Sequence, residues 1–408
     1  MDVFIARQPI FDVNQKVYAY ELLYRSGTEN ISKFKSGDSA TSNVVINALL
    51  LIGPDTLTEG NRAFINFTET LIKDEIPKMF SNEYLVVEIL EDIVPDEHLM
   101  IRVRELKALG YTIALDDYIA SYEYDELAEL ADIIKVDFVD TTLEERVTIS
   151  ENFRSKNKVL LAEKVETKEE FNEAKKLGFT LFQGYFFSKP SILKGKDVAS
   201  LNINYLDIIQ ELDQPEPQYE RMAEIIERDL ALTFKLLRLI NSAAFFTNSK
   251  VASVKQALVL LGFKEIRKWI MVVMLRDVGR SKPDEVLKTC LVRAKMAEQV
   301  ALITGMKVRK NEMFIMGLFS MIDTLMDQDL YTIIDSLPLE DDIKAAMVGK
   351  KNKLYEMFMI VMCYEKGDWE QLLKECDALC ITYSKVPDLY YGSLKWADKT
   401  FNSSLSDS

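Results

Sequence analysis

From Met1 to about Pro190, eight short runs rich in β-branched and aromatic residues alternate with polar segments at helical spacing. This alternation limits the fold more than any other property of the chain. The runs are VFIARQPIF, VYAYELLYR, RAFINFT, YLVVEILE, TIALDDY, DIIKVD, VLLAEKV and FTLFQGYFF. Between them lie helix candidates such as SATSNVVINALLLIG, DEHLMIRVRELKALG, TLEERVTISENFRSK and TKEEFNEAKKLG. Gly110 and Gly178 close two of these, as glycine does where a helix ends in a left-handed residue. Eight strands alternating with helices predict an α/β fold, most simply a (β/α)8 TIM-type barrel.

In such a barrel the chemistry sits where the strands end. Polar residues late in the apolar runs are Glu21, Asn66, Glu88, Asp116 with Asp117, Lys135, Glu163 and Gln183. Counted to Asp116, their successive separations are 45, 22, 28, 19, 28 and 20 residues, and most match one strand-plus-helix unit. Any one of these acids alone would read as a helix N-cap or a solvated turn residue. Seven positions in register with strand ends instead predict one shared rim. The rim offers oxygen ligands, so hard divalent cations such as Mg2+ or Mn2+ are favoured over Zn2+. Adjacent Asp116 and Asp117 suit two neighbouring ions, the arrangement for in-line attack on a phosphate. Lys135 would orient the water or neutralise charge at phosphorus.

From about Leu193 the strand pattern stops. Apart from the proline-bearing DQPEPQYERM, the remainder reads as amphipathic helix, including LTFKLLRLINSAAFF, SVKQALVLLG and KEIRKWIMVVMLRDV. A chain of 408 residues is long for a single core. The expected division is a barrel domain over 1–198, an all-α domain over 199–400 and a disordered tail over 401–408. The net charge is −15, which disfavours DNA or RNA as a partner. Neither a signal peptide nor a membrane-spanning run is visible, and the four cysteines form no CxxC pair. These features predict a cytoplasmic chain with reduced thiols and no membrane partner. His98 is the single histidine, so metal sites built on several histidines are excluded.

ARQPIFD, YELLYR, NFT, VEILE, LDDY, IKVD, AEKVE and QGYFFSKP together resemble the ordered motifs of EAL domains, the (β/α)8-type cyclic di-GMP phosphodiesterases. The resemblance spans essentially residues 1–195. It implies that Glu21, Asn66, Glu88 and Asp116 bind one metal ion, and that Asp116 and Asp117 hold a second. It implies that Lys135 orients the nucleophilic water, and that Glu163 and Gln183 complete the metal and water shell. Gln8 and Arg25 fall at dinucleotide-contacting positions, and Glu91 at a position that anchors the loop after the paired acids. The implied reaction is Mg2+- or Mn2+-dependent opening of cyclic di-GMP to linear pGpG. LLRLINSAAFF, VASVKQALVLLGFKEIRKWI and MFIMGLFSMID resemble the HDOD domain, with Ser320 and Met321 where an HD hydrolase has its His-Asp pair. That resemblance implies a sensory or protein-docking module.

Two positions and one segment depart from the EAL pattern. Leu22 replaces the signature alanine, Lys164 replaces the glycine of AEGVE, and YIASYEYDEL after Asp117 lacks the family's glycines. Larger residues disfavour positive φ, so these segments are expected to take another path. Related barrels often pair beside this loop, which implies a homodimer. The resemblance implies one of two functions, a cyclic di-GMP phosphodiesterase regulated by its helical domain or a catalytically silent cyclic di-GMP receptor or scaffold. A third reading, a purely structural interaction protein, gives no reason for seven rim residues of this chemistry.

Overall fold

A computed structural model describes residues 3–26, 54–90, 93–119, 125–184, 203–240, 251, 253–279, 282–337 and 339–405. The helix candidate over 39–53, Glu91 and the whole of the segment 120–124 fall outside these residues. The chain forms two compact units, one of residues 1–189 with 362–387, the other of 190–361 with 388–408.

The first unit holds a closed barrel in the order β1 to β8. The strands are β1 (Val3–Asp12), β2 (Val17–Ser26), β3 (Arg62–Phe67), β4 (Leu85–Ile89), β5 (Thr112–Leu115), β6 (Ile133–Asp137), β7 (Val159–Glu163) and β8 (Leu181–Gln183). Every run expected to be a strand contains one. From β2 to β8 the pairs are parallel, but β1 runs antiparallel to both β2 and β8. The cause is the link between β1 and β2. Residues 13–16 form a tight turn in which Asp12 Oδ1 accepts from the amides of Asn14 (2.8 Å) and Lys16 (2.9 Å). A link this short joins only antiparallel neighbours.

Parallel strands need crossovers, and most of these are helical. Among the described residues the helices of the barrel portion are α1 (Pro54–Thr58), α2 (Glu69–Lys73), α3 (Glu97–Ala108), α4 (Asp125–Leu130), α5 (Leu143–Arg154) and α6 (Lys168–Leu177). Their ends are coded locally. Asp96 caps α3 by accepting from Leu99 N at 2.8 Å. Thr142 with Glu145, and Thr167 with Glu170, form capping boxes at α5 and α6. Gly178 ends α6 at φ 95°, as its place in the sequence predicts.

The barrel is filled. Ile10, Ala19, Phe64, Val86, Ala114, Ile133, Leu161 and Leu181, one from each strand, make a buried layer across its interior. Side chains alternate along a strand, so residues two apart share a face, about 6.5–7 Å apart. Two residues on from the layer in β2 to β8 stand Glu21, Asn66, Glu88, Asp116, Lys135, Glu163 and Gln183. In antiparallel β1 the equivalent step runs backwards, from Ile10 to Gln8, and Gln8 pairs with Glu21. The polar rim is therefore the layer directly above the apolar one.

The second unit is helical among the described residues. Its helices are α7 (Ile203–Leu212), α8 (Tyr219–Glu227), α9 (Leu230–Ile240), α10 (Val254–Val278), α11 (Asp284–Ile303), α12 (Lys310–Leu318), α13 (Ile322–Met326), α14 (Leu330–Ser336), α15 (Asp341–Met347) and the start of α16 (Lys353–Lys366). Gly262, at φ 75° and ψ 156°, breaks α10 between the two helices expected on either side of it. After α17 (Trp369–Ala378), α18 (Val386–Leu405) runs into the segment expected to be a disordered tail. The Lys288 ammonium lies 5.0 Å from the Phe401 ring there, a contact that favours continuing the helix. Among the described residues, no helix is long and apolar enough to cross a membrane.

Residues 362–387 were expected in the helical domain but belong to the first unit. Aromatic packing holds them there. Phe4 on β1 stacks on Tyr383 at 4.1 Å and lies 5.9 Å from Trp369 and 6.3 Å from Tyr364. The Tyr364 hydroxyl donates to the Ile5 carbonyl at 3.3 Å.

Candidate active site

Lys135 is wholly buried, and its ammonium organises the polar layer. Nζ forms an ion pair with Glu88 Oε1 and lies 2.7 Å from Asp116 Oδ1, 2.8 Å from Glu163 Oε1 and 3.6 Å from Glu21 Oε1. Four strands thus deliver acids to a cation on a fifth. Burial acts to lower the Lys135 pKa, but Glu163, Glu21, Glu88 and Asp116 outweigh it and hold the pKa well above the usual lysine value. Burial pushes the Glu88 carboxyl well up; Lys135 opposes this, and the neighbouring acids Glu21 and Asp116 add to it. Burial likewise raises Glu163, against Lys135 and with the other acids. Four acids facing one ammonium leave an excess of acid in a low-dielectric place.

Gln183 ties the antiparallel strand to the rim. Its Nε2 donates to Glu21 Oε2 and to Gln8 Oε1, the latter at 3.0 Å. The Asn66 carbonyl accepts from the Tyr24 hydroxyl at 2.7 Å. Burial, with the charge of Glu88 second, pushes the Tyr24 phenol up to about 12. Asp117 follows β5 with φ 39°, and one carboxylate oxygen from each of Asp116, Asp117 and Glu163 lies within 4.8 Å of the other two. The sequence-predicted residues Glu21, Asn66, Glu88, Asp116, Asp117, Lys135, Glu163, Gln183 and Gln8 are therefore brought together. Arg25 is placed by its backbone pairing with Phe4, but its side chain, like the whole of Glu91, lies outside the described residues.

The residues fit a hard cation. Asn66 Oδ1, Glu88 Oε2 and Gln183 Oε1 are buried acceptors with no hydrogen-bond donor among the described residues. A buried acceptor left unsatisfied costs about 1–3 kcal/mol. An ion with oxygen ligands would satisfy such atoms and absorb the excess acid.

Two features of the site were not assigned from sequence. Tyr24 stands within the quoted YELLYR, but alternation along β2 marks it only as facing away from Glu21. Asp137 accepts from the amides of Val139 (2.6 Å) and Asp140 (3.1 Å) and pairs with Lys164. That pairing corrects one expectation. Lys164 does not avoid the conformation of the glycine it replaces; it keeps φ at 51°. A non-glycine residue there is strained by about 1–2 kcal/mol, and the bond to the nearly buried Asp137 offsets this.

In the helical unit, the two residues expected at the place of an HD pair take part in packing and hydrogen bonding: Met321 is buried, and Arg293 Nη1 donates to Ser320 Oγ at 3.1 Å.

The fold and site define a class: a barrel with an oxygen-rich acidic layer around a buried lysine, on a chain that also carries a helical unit. Comparison with known proteins agrees. Residues 35–190 match the EAL domain and residues 198–332 the HDOD domain. The chain is 43% identical to the uncharacterized protein YuxH of Bacillus subtilis, over 91% of this chain and 92% of that one. It is 32% identical to the cyclic di-GMP phosphodiesterase CdgJ of Vibrio cholerae, over 97% of this chain and 92% of that one. A standalone EAL protein of Vibrio cholerae O395 in its c-di-GMP-bound form is 24% identical, with a TM-score of 0.37, covering 46% of this chain and 92% of that one. The chain belongs to the family that joins an EAL domain to a C-terminal HDOD domain. The EAL match begins at residue 35, whereas the barrel begins at Val3, so Gln8 and Glu21 precede the matched segment.

Proposed function

We propose that the barrel is a metal-dependent phosphodiesterase that hydrolyses cyclic di-GMP to linear pGpG. The observation that carries this reading is the eight polar side chains standing one layer above eight apolar ones, closed around Lys135. Full-length similarity to the phosphodiesterase CdgJ supports the choice of substrate.

Glu21, Asn66, Glu88 and Asp116 would hold one Mg2+ or Mn2+, and Asp116 with Asp117 a second, Glu163 completing the shell. Such ions supply a nucleophilic water at neutral pH and stabilise charge on a phosphoryl oxygen. The chain's own groups do the rest. Lys135 presents a fixed positive charge at the floor of the site, where it orients the water and offsets negative charge developing at phosphorus. Gln8 and Arg25 bind the dinucleotide, and Gln183 fixes Gln8 and Glu21 relative to each other. Water adds to one phosphorus as the bond from that phosphorus to the ribose 3′ oxygen breaks, leaving a 5′ phosphate on an opened ring. The helical unit, with Ser320 and Met321 in place of an HD pair, serves as a docking or sensory module.

The test is incubation of the full-length protein with cyclic di-GMP and Mn2+ or Mg2+, following pGpG over time. Glu21→Gln should abolish turnover. Binding without turnover in the wild-type protein would make it a receptor instead, and no binding would remove both readings.

A further inference from the structure

We propose that Trp369, from the C-terminal segment 362–387, is part of the substrate-binding surface and stacks on a guanine base of the cyclic dinucleotide. The inference rests on the proposed substrate and adds to it a residue far outside the EAL segment.

β1 and β2 have ten residues each, while the other strands have three to six. The two long strands therefore continue past the polar layer as a ribbon. From Gln8 back to Phe4 is four residues, about 13 Å of rise. The only irregularity in their pairing lies at Ile10/Phe11, so alternation is kept between Gln8 and Phe4. Ala6 and Phe4 consequently share the face of Gln8, and Leu23 shares the face of Glu21. This is the side of the ribbon that overlooks the site.

The C-terminal segment covers that side. Gly367 approaches so closely that a Cβ there would stand 3.1 Å from Leu23 Cδ1 and 3.7 Å from the Trp369 ring. Leu23 is only two residues beyond Glu21. Phe4 and Tyr364 in the aromatic cluster are fully buried, whereas Trp369 is partly exposed. Its ring is held by Phe4 at 5.9 Å and by Tyr364, edge-on, at 5.2 Å and 85°. The eight side chains of the polar layer are Gln, Glu, Asn, Asp and Lys, which suit cations and phosphate but offer no flat surface to a base. Bases of a dinucleotide whose phosphate lies on this layer extend outward, where the ribbon and Trp369 stand. Stacking of a base on an aromatic ring contributes about 1–3 kcal/mol.

The experiment uses full-length protein with Trp369→Ala, Trp369→Leu and Trp369→Phe. Each is assayed on cyclic di-GMP and on bis(4-nitrophenyl) phosphate, a diester without bases, and thermal midpoints are recorded. The expected result is a KM for cyclic di-GMP raised about tenfold or more in the Ala and Leu variants, with kcat near the wild-type value. The ratio of cyclic di-GMP to nitrophenyl ester cleavage falls in parallel. Trp369→Phe, which keeps a ring, should recover most of the loss. Trp369→Leu keeps the apolar packing, so it reads stacking even where Trp369→Ala fails to fold. An unchanged KM, or equal loss on both substrates, would overturn the inference. Wild-type protein that binds cyclic di-GMP without cleaving it would end the hydrolytic reading; a calorimetric Kd weakened in Trp369→Leu would then uphold stacking, and an unaltered one would end it too. Wild-type protein that binds no cyclic di-GMP would end both.

Discussion

Lys135 on β6 and Glu88 on β4 form an ion pair across the strand between them, with both side chains completely shielded from solvent. The ammonium is shared with Asp116, Glu163 and, at longer range, Glu21. Removing it strands several buried acids at once. Breaking a buried pair by deleting one partner costs about 3–5 kcal/mol. Lys135→Met should therefore lower the stability of metal-free protein by about that amount, seen as a drop in the urea midpoint with EDTA present. Adding Mn2+ should restore part of the loss, because cations take over the neutralising role. Turnover should stay depressed, by about 10² or more for a group acting on the water. An unchanged urea midpoint in EDTA would show that the lysine does not hold the acids together.

Gly184 sets the end of β8 and with it Gln183. It has φ 139°, and a Cβ there would stand 2.2 Å from the Val165 carbonyl oxygen. Val165 N also donates to the Gln183 carbonyl at 3.0 Å, so neither backbone can retreat freely. Gly184→Ala should cost about 2–3 kcal/mol in stability, at the upper end of ordinary substitutions. It should also displace Gln183 from Glu21 and Gln8, lowering turnover more than a control such as Gly349→Ala. Gly349 also has positive φ, but no atom lies within 4 Å of its hypothetical Cβ. Equal effects of the two changes would mean that backbone strain, not the close approach, governs the site.

The barrel and its rim were legible because one period carries both. Ile133 and Lys135, or Leu161 and Glu163, are two apart, so the pattern that predicts a strand also predicts which residue stands above the core. The direction of β1 was less visible: VFIARQPIF alternates in the same way whichever way it runs, and only the turn at 13–16 decides. The placement of 362–387 was not legible, since Tyr364 and Trp369 mark helices that need a core without saying which. Lys164 misled for a different reason. Residue type argues against positive φ, and the compensating partner, Asp137, is 27 residues away in sequence.

That pair makes an acid-side prediction. Asp137 is nearly buried, which alone would raise its pKa. Hydrogen bonds from Lys164, Val139 and Asp140 outweigh the burial and bring it below the usual carboxylate range. A folded-state pKa below the unfolded value gives stability that is present above about pH 4, the unfolded value, and lost as pH falls through the folded one. The difference in stability between wild type and Asp137→Asn should thus be largest at pH 6–7 and shrink below about pH 4. The expected size at neutral pH is about 1–2 kcal/mol, below the full worth of a charged hydrogen bond because Lys164 is largely solvent-exposed. Urea midpoints of both proteins from pH 3 to 7 measure it, and parallel curves would count against the pairing.

The cysteines test whether residues 362–387 are packed as described. Cys290, Cys363 and Cys376 are buried, and Cys380 is exposed. Burial, with nearby acids second, pushes the Cys363 and Cys376 thiols up to about 12. The thiolate is the reactive form, so these two should be inert at neutral pH while the segment stays folded. A chromogenic disulfide reagent at pH 7.5 should modify one thiol per chain quickly, located at Cys380 by peptide mapping. In urea all four should react. Phe4→Ala, which removes the ring that Tyr364, Trp369 and Tyr383 pack against, should release Cys363 and Cys376 to the reagent before global unfolding. Labelling of Cys363 or Cys376 in native wild-type protein, at a rate near that of Cys380, would contradict the packing of this segment on the barrel.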